Sequence, residues 1–229
     1  MASADYTNLV KLLIEKKASV GSRSAALQAP LHLAVKTGSL KAAQLLFSEY
    51  RASISTTDED GWHSVRYAIE KRSLAMARTL LVRDRSLKTE DTEYTLELQR
   101  RDLHKAIELS AVDIVKFLLK KYPNVAQPAE GISRAADSLL HIAARNSNVK
   151  TIRFLINLDL SVNLKGSFGR TPPHVAAIRG DLDAIRELFT KDPDLEAVDD
   201  LGITPLLKAV ERRGSPRRLR ATPQPGRPC

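Results

Sequence analysis

The feature that most constrains this chain is a short motif that returns at intervals of 33 to 38 residues. Each copy is centred on an alanine, with an apolar residue or proline three positions before it. Nine positions after the first five alanines comes a second small or apolar residue, and a pair of large apolar residues follows three positions later. This spacing predicts two short amphipathic helices per copy. The six central residues are Ala34, Ala68, Ala106, Ala143, Ala176 and Ala209.

The copy over residues 169–189 contains the start and stop signals for both helices. Thr171 is placed to cap the first helix, and Pro172 occupies its first position, where a missing N–H costs nothing. Gly180 can take the left-handed conformation that ends a helix, and Asp181 can then cap the second one. The copy therefore predicts a complete helix-turn-helix unit.

A period near 33 headed by Thr-Pro-Leu-His-x-Ala resembles the ankyrin-repeat family, from about residue 3 to residue 213. The resemblance implies an all-α solenoid of stacked helix pairs with β-turn fingers, with five full repeats and a half repeat at each end. The expected domain is 1–213, with full repeats starting near 29, 63, 101, 138 and 171 and half repeats at 3–20 and 204–213. Because both ends cut through a repeat, a fragment of a longer ankyrin protein is an alternative.

Several stretches depart from the repeat. Arg72 stands where a glycine usually ends the first helix. A left-handed non-glycine residue costs roughly 1–2 kcal/mol, so either the helix ends differently there or the repeat is strained. His63 is off the histidine position of the motif and is expected to be exposed at a fingertip. Residues 83–102 and 122–138 are long connections, predicted as surface loops. The first half repeat resembles a second helix, with three leucines expected to face inward: Leu9, Leu12 and Leu13.

Charge is concentrated at the end of the chain. Of the net charge of +9, residues 211–229 carry +5, and the other 210 residues carry only +4. Residues 214–229 contain four prolines and no apolar periodicity, which predicts a disordered basic tail. Ser215 follows two arginines and is a possible phosphorylation site. The tail could also bind nucleic acid or an anionic membrane, although it has no aromatic residues for stacking on bases.

The sequence contains no motif for catalysis or for cofactor binding. The single cysteine, Cys229, excludes an internal disulfide framework and fits a reducing compartment, so the expected location is cytoplasmic or nuclear. The chain has no phosphate loop, metal motif or nucleophile motif. Four of the five histidines occupy the family's own histidine position, which implies hydrogen bonds between neighbouring repeats. We therefore predict no enzyme activity, no cofactor and no metal.

The resemblance implies that a partner binds to the fingertips and to the exposed side of the first helices, which together line a concave groove. The expected function is non-catalytic protein binding as a scaffold, adaptor or inhibitor, by a monomer without a membrane span. Nucleic acid is not the expected partner, and the alternative is an electrostatic binder that acts through the arginine-rich tail. The candidate residues are Asp60, Trp62, Lys71, Arg145, Phe168, Arg170, Arg179, Leu201 and Ile203.

Overall fold

The computed structural model describes residues 2–82, 96–126 and 137–213. These residues form twelve α-helices and three short 3-10 segments, and no strand occurs among them. The 3-10 segments are Pro123–Ala126, Ser167–Gly169 and Phe189–Lys191. The helices are α1 (Ala2–Glu15), α2 (Pro30–Lys36), α3 (Leu40–Ser48), α4 (Ser64–Glu70), α5 (Leu74–Val82), α6 (Leu96–Glu108), α7 (Val112–Lys121), α8 (Leu139–Arg145), α9 (Val149–Ile156), α10 (Pro172–Arg179), α11 (Leu182–Leu188) and α12 (Pro205–Arg213).

The helices pack in two parallel rows. The even-numbered helices α2 to α12 form the first row and the odd-numbered helices α1 to α11 form the second, each helix packing on its neighbours in the row. Five consecutive pairs, from α2–α3 to α10–α11, also pack within the pair. This arrangement confirms the predicted all-α solenoid of five helix pairs with a single helix at each end.

The repeated alanine lies where consecutive first helices touch. Five of the six alanines are buried, and Ala209 on α12 is half-buried. The small methyl group lets adjacent helices approach closely, and this approach covers the alanine. The apolar residues three positions before the first four alanines, Leu31, Val65, Leu103 and Leu140, are fully buried. The motif therefore supplies one continuous core along the array.

The loops between paired helices all use a left-handed residue at the same position. Gly38 and Gly180 have φ values of 78° and 71°, and Arg72 takes the same conformation with φ 51°. The amide of Arg72 donates to the Ile69 carbonyl at 2.8 Å, and the amide of Ser73 donates to the Ala68 carbonyl at 2.9 Å. The second repeat thus keeps the usual helix ending without the usual glycine, and Arg72 takes the strained conformation foreseen from the sequence.

The inward face of α1 differs from the expectation. Val10 and Ile14 pack against the core, whereas Leu9, Leu12 and Leu13 are about half exposed, at 49%, 51% and 51%. Helix α1 packs on α3 at the end of the second row, so mainly one side of it is covered.

The first long connection also differs from the prediction, because residues 96–102 are helical and extend α6 backwards. Asp102 stands where three other copies have proline (Pro30, Pro172 and Pro205), so no ring restricts the residue before it. Leu98 packs against the core and gives the extension an apolar contact. The rest of both connections, 83–95 and 127–136, and the tail with Ser215 lie outside the described residues.

Candidate partner-binding surface

The turns that precede the first helices, called fingers here, are held by buried carboxylates. Asp58 Oδ1 accepts hydrogen bonds from the amides of Asp60 at 3.1 Å and Trp62 at 2.8 Å. Asp199 Oδ1 accepts from the amides of Leu201 at 2.9 Å and Ile203 at 3.0 Å. These fingers are therefore fixed turns and not free loops, as the Asp-x-x-Gly pattern predicts.

Both carboxylates are kept ionised by their surroundings. Burial alone would raise the pKa of Asp58, but a hydrogen bond from the Tyr67 hydroxyl and two from backbone amides outweigh it, so the pKa falls below its usual value. Burial and the same carboxylate raise the pKa of Tyr67 to about 12. At Asp199, burial is outweighed by the amides of Ile203 and Leu201 and by Lys208, and the pKa is again lowered.

The motif histidines link one repeat to the next. In His174, Nδ1 accepts from the Thr171 amide at 3.1 Å, and Nε2 donates to the Ile203 carbonyl at 2.9 Å. His141 donates in the same way to the Arg170 carbonyl at 2.8 Å. His32 Nε2 lies 2.7 Å from the Thr56 carbonyl.

Burial lowers the pKa of each of these imidazoles, and of His104 as well. His32, His141 and His174 therefore have the structural role that the resemblance implies.

His63 is buried, which corrects the expectation of an exposed fingertip residue. It is only 3% exposed, and its Nε2 lies 3.0 Å from Oδ2 of Asp102 in the next repeat. In the same repeat Arg66 replaces the motif histidine, and its guanidinium donates to the Arg101 carbonyl at 3.2 Å. The second and third repeats are thus joined by a different set of polar contacts at the position where the motif is lost.

Two neighbouring fingertips display apolar side chains to solvent. Phe168 is 68% exposed and Leu201 is 75% exposed. The amide of Asp200 donates to the Phe168 carbonyl at 3.1 Å, which couples the two fingers directly. The guanidinium of Arg170 lies 4.9 Å from the centre of the Phe168 ring. We call Phe168, Arg170 and Leu201 the fingertip patch.

The backbone of this patch is strained. Phe168 has φ 61°, a left-handed conformation that is uncommon for a bulky residue. The finger has Gly166 where the fingers of Asp58 and Asp199 have a carboxylate, and Asp137 accepts from the Ser167 amide at 3.0 Å instead. Strain of this kind persists where surrounding contacts enforce it, and it is frequent at binding sites.

The other candidate residues do not share one environment. Trp62 is half-buried, with its ring 5.3 Å from that of Tyr67, so it is not the exposed apolar residue expected from the sequence. Ile203 is half-buried, whereas Asp60 is exposed at its fingertip. Among the candidates on or just after first helices, Lys71, Arg145 and Arg179 are all exposed, and Arg145 pairs with Asp137.

A further charged cluster on the first helices was not among the candidates. Lys105 Nζ lies 3.0 Å from Oε1 of Glu70, and Arg66 Nε lies 3.9 Å from the same oxygen. These residues face each other across α4 and α6. Glu70 lies two positions after the central alanine of its copy and Lys105 one position before that of the next, so their pairing depends on how the repeats stack and has no signal in the repeat register.

Across residues 2–82, 96–126 and 137–213, no group of three or more histidine, cysteine or acidic side chains is placed to hold a metal ion. None of the helices in these ranges is long and apolar enough to cross a bilayer.

The family model for ankyrin repeats matches residues 1–91 and 140–217. The chain belongs to the ankyrin-repeat family. The ankyrin-repeat domain of human ASB11 superposes with a TM-score of 0.70 at 21% identity, covering 95% of this chain and 97% of that one. The ankyrin-repeat domain of Bcl-3 gives a TM-score of 0.72 at 24% identity, covering 93% of each chain. Ankyrin-repeat domains are typically non-catalytic and bind other proteins.

The curated relatives are much longer than this chain. Human B-cell lymphoma 3 protein is 29% identical over 192 residues, which is 81% of this chain and 40% of that protein. The rice BTB/POZ domain and ankyrin repeat-containing protein NPR3 is 36% identical over 96 residues, 42% of this chain and 15% of its own length. The ankyrin-repeat chain described here thus spans well under half of these relatives.

Proposed function

We propose that this chain is a non-catalytic protein-binding module, acting as a scaffold, adaptor or inhibitor in the cytoplasm or nucleus. The observation that carries the proposal is the fingertip patch, in which Phe168 and Leu201 are more than two-thirds exposed on fingers held by the carboxylates of Asp137 and Asp199. Exposed aromatic and apolar side chains on a rigid support are the groups that dominate interface energies.

Charged groups beside the patch would orient a partner. Arg170 covers one face of the Phe168 ring, and its Nε lies 3.8 Å from the buried carboxylate of Asp199. Arg145 and Arg179 are exposed on the first helices that line the groove below. This arrangement favours a partner segment that offers an apolar group to the patch and carboxylates to the arginines.

Site-specific photocrosslinking tests the proposal. A photoreactive phenylalanine at position 168 of the full chain is expected to crosslink a discrete set of proteins in cells. The variant Leu201→Ala should lower the yield of these crosslinks at least tenfold, because it removes one of the two apolar side chains of the fingertip patch. Leu158→Ala is the matched control, since Leu158 is 44% exposed on the loop after α9 and should change nothing.

Deletion of residues 214–229 separates this function from the electrostatic alternative. Binding through the groove should survive both the deletion and high salt. Loss of all binding after deletion, with a steep salt dependence, would instead assign the activity to the basic tail. Equal crosslinking in the Leu201→Ala and Leu158→Ala variants would refute the fingertip patch as the binding site.

A further inference from the structure

The face opposite the fingers has an open groove between the second helices of the central repeats. It has a volume of about 740 Å³ and runs from Arg72 in the loop before α5, past the start of α7, to Phe154 on α9. This volume is within the range of about 300–1,000 Å³ found for ligand sites. We call this feature the back groove.

The rim of the back groove is basic. Arg72, Lys116, Lys150 and Arg153 line it, and among the described residues the only acidic one in the lining is Asp113. All five side chains are exposed.

Part of this charge is balanced and part is not. Arg153 Nε donates to Glu187 Oε2 at 3.0 Å, so its charge is offset by a carboxylate of the next repeat. Arg72 and Lys150 form no ion pair with any residue in the described ranges. The groove therefore holds uncompensated positive charge.

The positive charge is specific to this part of the second-helix row. The loops and second helices over 71–82, 109–122 and 146–158 contain eight lysines and arginines and one acidic residue, Asp113. The following second helix, α11, instead carries Asp183 and Glu187. A field of one sign over a concave surface attracts ligands of opposite charge.

The floor of the groove is partly apolar. Leu74, Val112 and Phe154 line it and are half-buried. The ammonium group of Lys116 lies 5.7 Å from the centre of the Phe154 ring. A nucleic-acid backbone would use the cations but not this floor, whereas a polypeptide with carboxylates around an apolar residue would use both.

Arg72 reaches the groove at a conformational cost. The same loop position is glycine in the first and fifth repeats, and Arg72 occupies it with φ 51°. A glycine would remove the strain there, and it would also remove a cation from the rim.

We propose that the back groove is a second docking surface, which binds an acidic polypeptide segment carrying an apolar residue. It lies on the other side of the helix pairs from the fingertip patch. The two surfaces can therefore be lost independently, and the failure of one proposal does not affect the other.

The test is fluorescence polarisation of the full chain with a labelled peptide of glutamates around a central Leu-Phe pair. Saturable binding is expected, and a peptide with lysine in place of each glutamate should not bind. Lys150→Glu should weaken binding about tenfold, because it reverses one of the uncompensated charges. Lys41→Glu is the matched control, because Lys41 is exposed at the equivalent position of the first repeat, and it should change affinity less than twofold.

Arg72→Gly gives a second, independent result. It should raise the urea midpoint of unfolding and still weaken peptide binding several-fold, so a loss of binding cannot be attributed to unfolding.

Amide chemical shifts that change on peptide addition should cluster in residues 110–116 and 150–157, which excludes binding to the basic tail. No binding of the acidic peptide, equal effects of Lys150→Glu and Lys41→Glu, or tighter Lys150-dependent binding of a single-stranded oligonucleotide would overturn the proposal.

Discussion

At the scale of single residues, the fingers depend on backbone positions that only certain side chains tolerate. Gly169 and Gly202 both have positive φ, at 65° and 72°. They differ in their surroundings, because a Cβ on Gly169 would lie 2.2 Å from Oδ1 and 3.0 Å from the amide nitrogen of Asp200. A Cβ on Gly202 would meet nothing within 4 Å.

We therefore expect Gly169→Ala to destabilise the protein more than Gly202→Ala. Each substitution should cost roughly 1–2 kcal/mol for the left-handed backbone, and Gly169→Ala about 1 kcal/mol more for crowding against the next finger. Urea unfolding followed by circular dichroism measures the difference. Equal costs would mean that the two fingers are not in contact in solution.

A second prediction at this scale concerns a hydrogen bond that supports the finger held by Asp58. The Tyr67 hydroxyl donates to Asp58 Oδ2 at 2.5 Å in a buried site. Tyr67→Phe should destabilise the protein by about 1–3 kcal/mol, because it leaves a buried carboxylate without that donor. Tyr50→Phe, at a half-buried tyrosine of the first repeat, is the control and should cost less in the same unfolding measurement.

At the scale of helices, the second and third repeats are joined by contacts that replace the motif. His63 on one side and Asp102 on the other are both buried, with 3.0 Å between Nε2 and Oδ2. A double-mutant cycle with His63→Ala and Asp102→Ala should give a coupling free energy of about 0.5–3 kcal/mol. Additive effects would show that the pair does not connect α4 and α6.

Helix α1 shows that packing partners decide which apolar residues matter. Ile14 packs against the core, whereas Leu13 beside it is 51% exposed. Ile14→Ala should therefore cost about 1–2 kcal/mol, and Leu13→Ala less than about 0.5 kcal/mol. Urea unfolding measures both costs. A larger cost for Leu13→Ala than for Ile14→Ala would mean that the leucines face inward, as the sequence predicted.

For the whole molecule, the lowered pKa values of the four motif histidines predict a stability that depends on pH. Burial lowers the pKa of His32, His104, His141 and His174 from an ordinary value of 6.5. Protonation is therefore less favourable in the folded state than in the unfolded state. The stability that the neutral imidazoles contribute is fully present above pH 6.5 and is lost as the pH falls below that value.

The urea midpoint should consequently be lower at about pH 5.5 than at about pH 7.5. The lowered pKa values of Asp58 and Asp199 do not contribute in this window, because both carboxyl groups ordinarily titrate near 3.8. A midpoint that is constant or rises on acidification would contradict the neutral, hydrogen-bonded imidazoles seen here.

Much of the fold could be predicted from the sequence because the repeat is local. A motif of about 33 residues contains its own cap, its helix-ending residue and its apolar spacing, so one copy determines a helix pair. Thr171, Gly180 and Asp181 occupy the cap and turn positions that their residue types favour. The candidate site could be predicted only in part, since Phe168 and Leu201 are exposed but Trp62 packs on Tyr67.

The sequence by itself determined the period, the helix pairs and the row of buried alanines, because these depend on residues close together in the chain. Only the tertiary structure decided which equivalent positions are covered. Leu31 and Leu206 occupy the same place in the motif, yet they are 0% and 71% exposed. Leu31 is covered because α2 packs on its paired helix α3 as well as on α4, whereas α12 packs on α10 and has no paired second helix among the described residues. The burial of His63 and the basic back groove have the same origin, because both arise from residues of different repeats that meet only when the array is assembled.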